Sequence, residues 1–339
     1  MKRIRQTDLA RALRAFFAEH MPLTRGLSPN TVRSYRDAFT LLLRFLALRH
    51  RRAVEDLDLS QLTPADLIAY LDHLEAKRKN GVATRNARLA AVHSFARFVA
   101  MRHPEHLDVC QRILAVPVKR GPSRTIEYLE AHEIRAMLYA ADKGTADGLR
   151  DHALILTLFN TGARVQELLD VRPVDLQLTR PLQVRLCGKG RKERICPLWP
   201  RTAQTLRELV AKSGLHERAS ERLFRNHRGE PLTRFGVHHL VRKYSELGQT
   251  NAPSLANKRV HPHVLRHSAA VHLLQAGVDL VSISHWLGHA SVETTNRYAT
   301  VDLEMKRTAI ARADPLFANA RKLRVWRADR SVLDWLEAL

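Results

Sequence analysis

The stretch GHASVETTNRY, residues 288–298, is mostly small and polar, yet it holds an imidazole at His289 and a phenol at Tyr298. Two readings fit it. In one it is an ordinary turn and helix. In the other Tyr298 is a nucleophile and His289 helps to position its target. A phenol ionises near pH ~10, so at neutral pH it attacks only with a base or a strongly electropositive site beside it. The choice rests on which cationic groups the rest of the chain brings to the same place.

Three segments supply such groups. In NTGARVQELLDVRP (160–173), Arg164 follows a Thr-Gly-Ala turn and Glu167 comes three residues later. On a helix that spacing lets the carboxylate orient the guanidinium, although a surface ion pair is the plainer reading. In HPHVLRHSAAVHLL (261–274), His263 and Arg266 are also three apart, at a helix start marked by Pro262. A helix N-terminus suits an anion such as a phosphate. His263 and His267 have the spacing of metal ligands, but Val264, Leu265 and Arg266 lie between them and no HExxH glutamate is present. A guanidinium between two ligands would repel a cation, so no metal is expected, and no other cofactor. Lys189, in GKGRK, stands between two glycines. It is either a polar turn residue or a general acid carried by a mobile loop.

Each group is unremarkable alone; the set is informative. Two arginines, two histidines and a lysine could surround one phosphodiester, with Tyr298 to attack it. Guanidiniums offer forked donors to the non-bridging oxygens and to the charge that grows there. Histidines donate hydrogen bonds or exchange protons near neutrality. The lysine could protonate the departing 5′ oxygen. Protein cations would then do what a metal does elsewhere.

The elements that must position these groups read mainly as helices. LSPNTVRSYRDAFTLLLRFLALRH (27–50) places Val32, Tyr35, Phe39, Leu42, Leu43 and Leu46 on one stripe, with Ser28 or Asn30 to cap it. Residues 62–77 repeat the pattern, starting at Thr63 or Pro64, and residues 83–103 make a third helix that carries Arg85, Arg88 and Arg97. AVPVKRGPSRTIEYL (115–129) has the prolines, glycine and basic residues of a linker. Beyond it, PLQVRLCGKGRKERICPL (181–198) alternates apolar and polar on both sides of GKGRK and predicts a β-hairpin with Lys189 at its turn. Helices are expected over 200–213, 233–248, 263–276, 279–287 and 291–300.

The 339 residues suit two domains rather than one core. The formal net charge of +22 favours a polyanionic partner, nucleic acid before an acidic membrane surface. Residues 1–120 hold 22 Lys and Arg against 11 Asp and Glu, and the remainder 34 against 23, so each part carries +11. That even split fits two domains gripping one polyanion. The apolar stretch ALILTLF (153–159) is far short of a membrane span, and the basic N-terminus lacks the apolar core of a secretory signal. Cys110, Cys187 and Cys196 show no paired spacing, as expected of a reducing cytoplasm.

In the order Arg164, Lys189, His263, Arg266, His289, Tyr298, the chain resembles the tyrosine site-specific recombinases, or phage integrase family, and their Xer-like bacterial branch in particular. The segments that carry the resemblance are TGARVQELL, GKGRKERICPL, HPHVLRHSAA and WLGHASVETTNRYATV. LFRNHRGEPLTRFGVHHLVRKY (223–244) and LSPNTVRSYRDAFTLLLRFL are similar to the family as well, so the likeness runs over roughly residues 27–302. The resemblance implies a mainly α fold with a small β-hairpin or sheet, arranged as a two-domain DNA clamp. Residues 1–115 would be a helical core-binding domain, 116–126 a linker, 127–302 the tyrosine recombinase catalytic domain, and 303–339 a C-terminal extension.

It also implies roles. Tyr298 would form a 3′-phosphotyrosyl link and free a 5′-hydroxyl. Arg164, Arg266, His263 and His289 would activate the phosphate, Lys189 would be the acid, and Glu167 would support Arg164. Arg33, Arg85, Arg88, Arg191 and Lys192 are candidate DNA contacts. Four protomers on two duplexes would exchange strands through a Holliday junction, with accessory recombinases as possible partners and a nucleoid-associated, cytoplasmic location in a bacterium. The charge and the tail favour a mobile element. RSVLDWLEAL (330–339) has an amphipathic stripe, which suggests a helix docked on a neighbouring protomer or folded back on its own. Two rivals remain: relaxation of DNA by a type IB topoisomerase-like reaction, and a non-catalytic DNA-binding relative.

Overall fold

The computed structural model describes residues 7–121, 126–188, 190, 192–215, 219–288, 293–296 and 298. The chain divides into two compact units, Met1–Ser123 and Arg124–Leu339. No helix among the described residues is long and apolar enough to cross a membrane.

The first unit is helical: α1 (Asp8–Ala15), α2 (Pro29–His50), α3 (Pro64–Ala76), α4 (Val82–Arg102) and α5 (Leu107–Leu114). Ser28 caps α2, its hydroxyl accepting from the Thr31 amide at 3.3 Å. Thr63 does the same for α3 through Asp66 at 3.1 Å. The α2 stripe faces inward as its spacing predicts. Phe39, Leu42 and Leu46 are buried, and Val32, Tyr35 and Leu43 pack against them. A π-helical stretch, Phe16–Thr24, was not anticipated. It delivers Phe16 into an aromatic cluster, with ring centroids 5.4 Å from Phe95 and 5.3 Å from Phe98. Such pairs add about 0.5–1.5 kcal/mol each beyond their burial, which suits a small unit.

The second unit contains α6 (Ala131–Tyr139), α7 (Ala146–Thr161), α8 (Val165–Leu169), α9 (Pro200–Lys212), α10 (Arg234–Gly248), α11 (Pro262–Gln275), α12 (Leu280–Leu287) and α13 (Glu293–Asn296). α7 is the central helix, buried all round from Asp151 to Thr161 and apolar over most of that length. Several of its polar residues find partners within the helix or on neighbouring elements. Thr157 and Thr161 donate to the carbonyls four residues back, at 2.7 Å each, and Asn160 accepts from the Trp199 amide at 3.0 Å.

The expected hairpin is present and is wider than expected. β2 (Gln183–Cys187) and β3 (Glu193–Pro197) pair antiparallel with Leu186 opposite Arg194, and β1 (Leu176–Gln177) adds a third strand beside β2. β1 is two residues long, too short to show a period. The turn is closed by Gly188, whose amide donates to the Lys192 carbonyl at 2.8 Å. Val184, Leu186 and Cys196 point into the core.

Candidate active site

The site lies where the C-terminal ends of α7 and α12 meet the N-terminal ends of α8 and α11. Helix C-termini present carbonyls without helical partners and the negative end of the dipole, so they hold cations. Here they hold three guanidiniums. Arg266, on α11, is 3% exposed and donates to the carbonyls of Gly162 and Leu287, the latter at 2.8 Å. Arg164, the N-cap of α8, donates to the Gly288 carbonyl at 3.1 Å. Arg194, on β3, donates to the Trp286 carbonyl at 2.9 Å.

Two glycines make this convergence possible. α7 ends at Gly162 with φ +57°, where a Cβ would lie 2.4 Å from Leu287 Cδ2. α12 ends at Gly288 with φ +65°, where a Cβ would lie 2.9 Å from Arg194 Nη1. Both positions need the left-handed backbone and the missing side chain together.

Among the described residues, Glu167, 4% exposed, is the carboxylate paired with Arg164 and Arg194. Its Oε1 accepts from Arg164 Nη1 at 2.7 Å, and its Oε2 accepts from Arg194 Nη2 at 2.7 Å and from the Arg164 amide at 2.9 Å. Burial alone would raise its pKa. The hydrogen bonds and charge of Arg194, with those of Arg164, outweigh burial and hold the carboxyl below its usual range. The carboxylate thus fixes the orientation of Arg164, as its spacing predicts, and leaves an excess of two positive charges. Burial, then repulsion from Arg164 and Arg194, pushes Arg266 down to about 10, still cationic at neutral pH.

His263 is on the first turn of α11, with its outer edge exposed. The protein around its ring and the charge of Arg266 both disfavour protonation, so its pKa is lowered. At neutral pH it is an uncharged imidazole, able to donate or accept a hydrogen bond. Tyr298 is 1% exposed, packed with Val271, Leu274, Ile283 and Leu287. Its hydroxyl is 2.9 Å from Nδ1 of His267, and its ionised oxygen would raise the Arg266 pKa, which puts the phenol within electrostatic reach of the arginine.

Arg164, Glu167, His263, Arg266 and Tyr298 are therefore brought together from distant parts of the sequence. Lys189, His289 and Arg191 lie outside the described residues, as do the 303–339 extension and half of the expected 291–300 helix, of which Glu293–Asn296 is helical. Among the candidate DNA contacts, Arg33 and Lys192 are exposed and Arg88 is half-buried. Arg85 departs from expectation: it is 8% exposed, its Nε is 3.8 Å from Glu75, and its Nη1 donates to Asn86 at 3.0 Å. Its charge is turned toward the protein because its place on α4 falls on the inward face.

Two residues escaped the sequence reading. Arg194 shares a strand face with Cys196, so the alternation of β3 points it inward, and an inward arginine requires a carboxylate. That signal was present in RKERICPL. His267 was weighed only as a metal ligand; its hydrogen bond to Tyr298 joins residues 31 apart and left no local trace.

Comparison with known proteins agrees with this geometry. Residues 127–305 match the phage integrase family, and residues 15–103 match the phage integrase N-terminal SAM-like domain. The chain is 38% identical over 335 residues to y4rC of Sinorhizobium fredii, described as an integrase/recombinase, covering 99% of each chain. It is 31% identical over 304 residues to tyrosine recombinase XerD of Ralstonia nicotianae, covering 88% of this chain and 92% of that one. In fold it is similar to the XerH site-specific recombinase in its post-cleavage complex with difH, with a TM-score of 0.69 at 21% identity over 85% of this chain and 81% of the other. A lambda integrase dimer bound to a core site gives 0.63 at 17% identity, covering 88% and 78%. A buried tyrosine beside a cage of guanidiniums, on a chain similar to these proteins along nearly its whole length, has one family reading: the chain belongs to the phage integrase family of tyrosine recombinases, enzymes that cut and rejoin DNA.

Proposed function

We infer that the chain recombines DNA at a specific site by forming a 3′-phosphotyrosyl link through Tyr298. Arg164 and Arg266 bind the non-bridging oxygens of the scissile phosphate, His263 and His289 complete its hydrogen bonds, and Lys189 protonates the departing 5′ oxygen. The link conserves the energy of the phosphodiester, so the 5′-hydroxyl of another strand reverses the reaction without ATP. Four protomers on two duplexes exchange strands through a Holliday junction, in integration, excision or resolution.

The observation that carries this reading is the gathering of Arg266, Arg164 and His263 around the ends of α7 and α12, with Tyr298 within electrostatic reach of Arg266 and bonded to His267 beside it. Attack by a phenol on an anionic phosphodiester needs such fixed positive groups at the oxygens where charge grows. Capture of covalent protein–DNA junctions in host cells would locate the target site. A nicked suicide substrate built on that site should then trap a covalent adduct with the wild-type chain and none with Tyr298→Phe. Undiminished adduct in the variant would refute the assignment of Tyr298.

A further inference from the structure

We propose that His267 takes the proton from Tyr298 as the phenol oxygen attacks phosphorus, and returns it during rejoining. The proposal rests on the reading of Tyr298 given above and adds a catalytic residue to it. Three observations carry it. Nδ1 of His267 is 2.9 Å from the Tyr298 hydroxyl, within direct transfer distance. The phenol is 1% exposed and set among apolar side chains, so bulk water does not reach its proton and a protein group must receive it. α11 fixes the acceptor rigidly, since His267 follows Arg266 directly and stands one turn after His263, with the two imidazole centroids 5.6 Å apart.

The surroundings favour transfer during attack rather than before it. On α11 itself the charged or titratable neighbours are His263 and Arg266. Among the described residues, Arg164 and Glu167 from α8, Arg194 from β3, His238 from α10 and His261, the N-cap of α11, surround His263 and Arg266, the neighbours of His267 on this helix. This excess of positive charge stabilises a developing phenolate and opposes a lone imidazolium. Bound phosphate reverses the second effect, because its negative charge pairs with the imidazolium as it forms. The contact is productive in the tautomer whose ring proton is on Nε2, with Nδ1 accepting from the phenol.

The step balances. The Tyr298 oxygen bonds to phosphorus, the bond from phosphorus to the 5′ oxygen breaks, the phenol proton moves to His267 Nδ1, and the 5′ oxygen takes a proton from Lys189. One imidazole becomes imidazolium and one ammonium becomes amine, so total charge is unchanged. In rejoining every transfer runs backwards.

The test uses the full-length chain and a suicide substrate with a 5′-bridging sulfur at the scissile phosphate. Sulfur leaves without protonation, so the rate of adduct formation reports the nucleophile and not the acid. His267→Asn keeps a hydrogen-bond acceptor near the Nδ1 position but is no base. We expect it to bind the substrate as wild type does and to form adduct about 10²–10³-fold more slowly at pH 7. The deficit should shrink as pH rises toward ~10, where the phenol ionises unaided. Equal rates for the two proteins would overturn the proposal. So would a deficit of the same size from pH 6 to 10, which marks a positioning role. A wild-type rate that is flat from about pH 5 to 8, the range of an imidazole, overturns it without any variant. Adduct that persists in Tyr298→Phe removes the reading of the site and the proposal with it, whereas failure confined to His267 leaves Tyr298 in place.

Discussion

Glu167 balances two of the three guanidiniums at the site, and its charge decides what both of them do. Replacing it with glutamine leaves Arg194 buried without a counter-charge, a loss of about 3 kcal/mol when one member of a buried pair is removed. For a unit of this size that is roughly 6–12 °C in Tm. The pH dependence follows from the lowered carboxyl pKa. The folded protein holds the ionised form more strongly than the unfolded chain does. The stabilisation is therefore complete above the ordinary glutamate value of about 4.3 and is lost as pH falls through the lower folded value. Melting curves should show Glu167→Gln less stable than wild type at pH 7, with the gap closing in acid. A gap that stays constant down to pH 3 would show that the carboxylate's charge does not stabilise the fold.

At the scale of elements, the site depends on where helices stop. α7 and α12 end on left-handed glycines, and their last carbonyls hold Arg266, Arg164 and Arg194. Gly162→Ala adds about 1–2 kcal/mol of backbone strain and a Cβ inside the contact distance of Leu287. Overpacking of that kind costs a further 1–3 kcal/mol or so. The Gly162 carbonyl that orients Arg266 must then move, so adduct formation should fall by at least about tenfold while DNA affinity stays near wild type. Parallel cleavage and gel-shift measurements check this; an equal fall in both would place the effect in the fold rather than in Arg266.

Much of this element layout was legible in the sequence, for stated physical reasons. The stripe of α2, its Ser28 cap and the alternation around GKGRK follow from local periods and caps. The cluster of Arg164, Glu167, His263 and Arg266 was legible through helical spacing and the order of motifs. What stayed hidden was set by tertiary contact. The π-helical stretch at Phe16 is explained by packing on Phe95 and Phe98 rather than by propensity. Whether Arg85 faces solvent or Glu75 depends on which side of α4 the core occupies. The bond from His267 to Tyr298 exists only once α11 and the segment after α12 have docked.

Over the whole molecule the balance of charge argues for a partner held by both units, since the two parts of the chain on either side of residue 120 carry +11 each. Binding of such a chain to duplex DNA is driven largely by release of condensed counter-ions, about 0.9 per phosphate neutralised. Arg33 in the first unit and Lys192 in the second are exposed and able to meet phosphates, whereas Arg85 is turned toward Glu75. Plotted as log affinity against log salt, Arg33→Gln and Lys192→Gln should each make the slope shallower by about 1 and weaken binding alike on specific and random duplex. Arg85→Gln should leave the slope as it is and lower thermal stability instead, because its guanidinium neutralises a protein carboxylate. Loss of slope in the Lys192 variant but not in the Arg33 variant would confine the phosphate contacts tested here to the catalytic unit. A shallower slope for Arg85→Gln would mean that α4 presents this arginine to DNA after all, at the expense of Glu75.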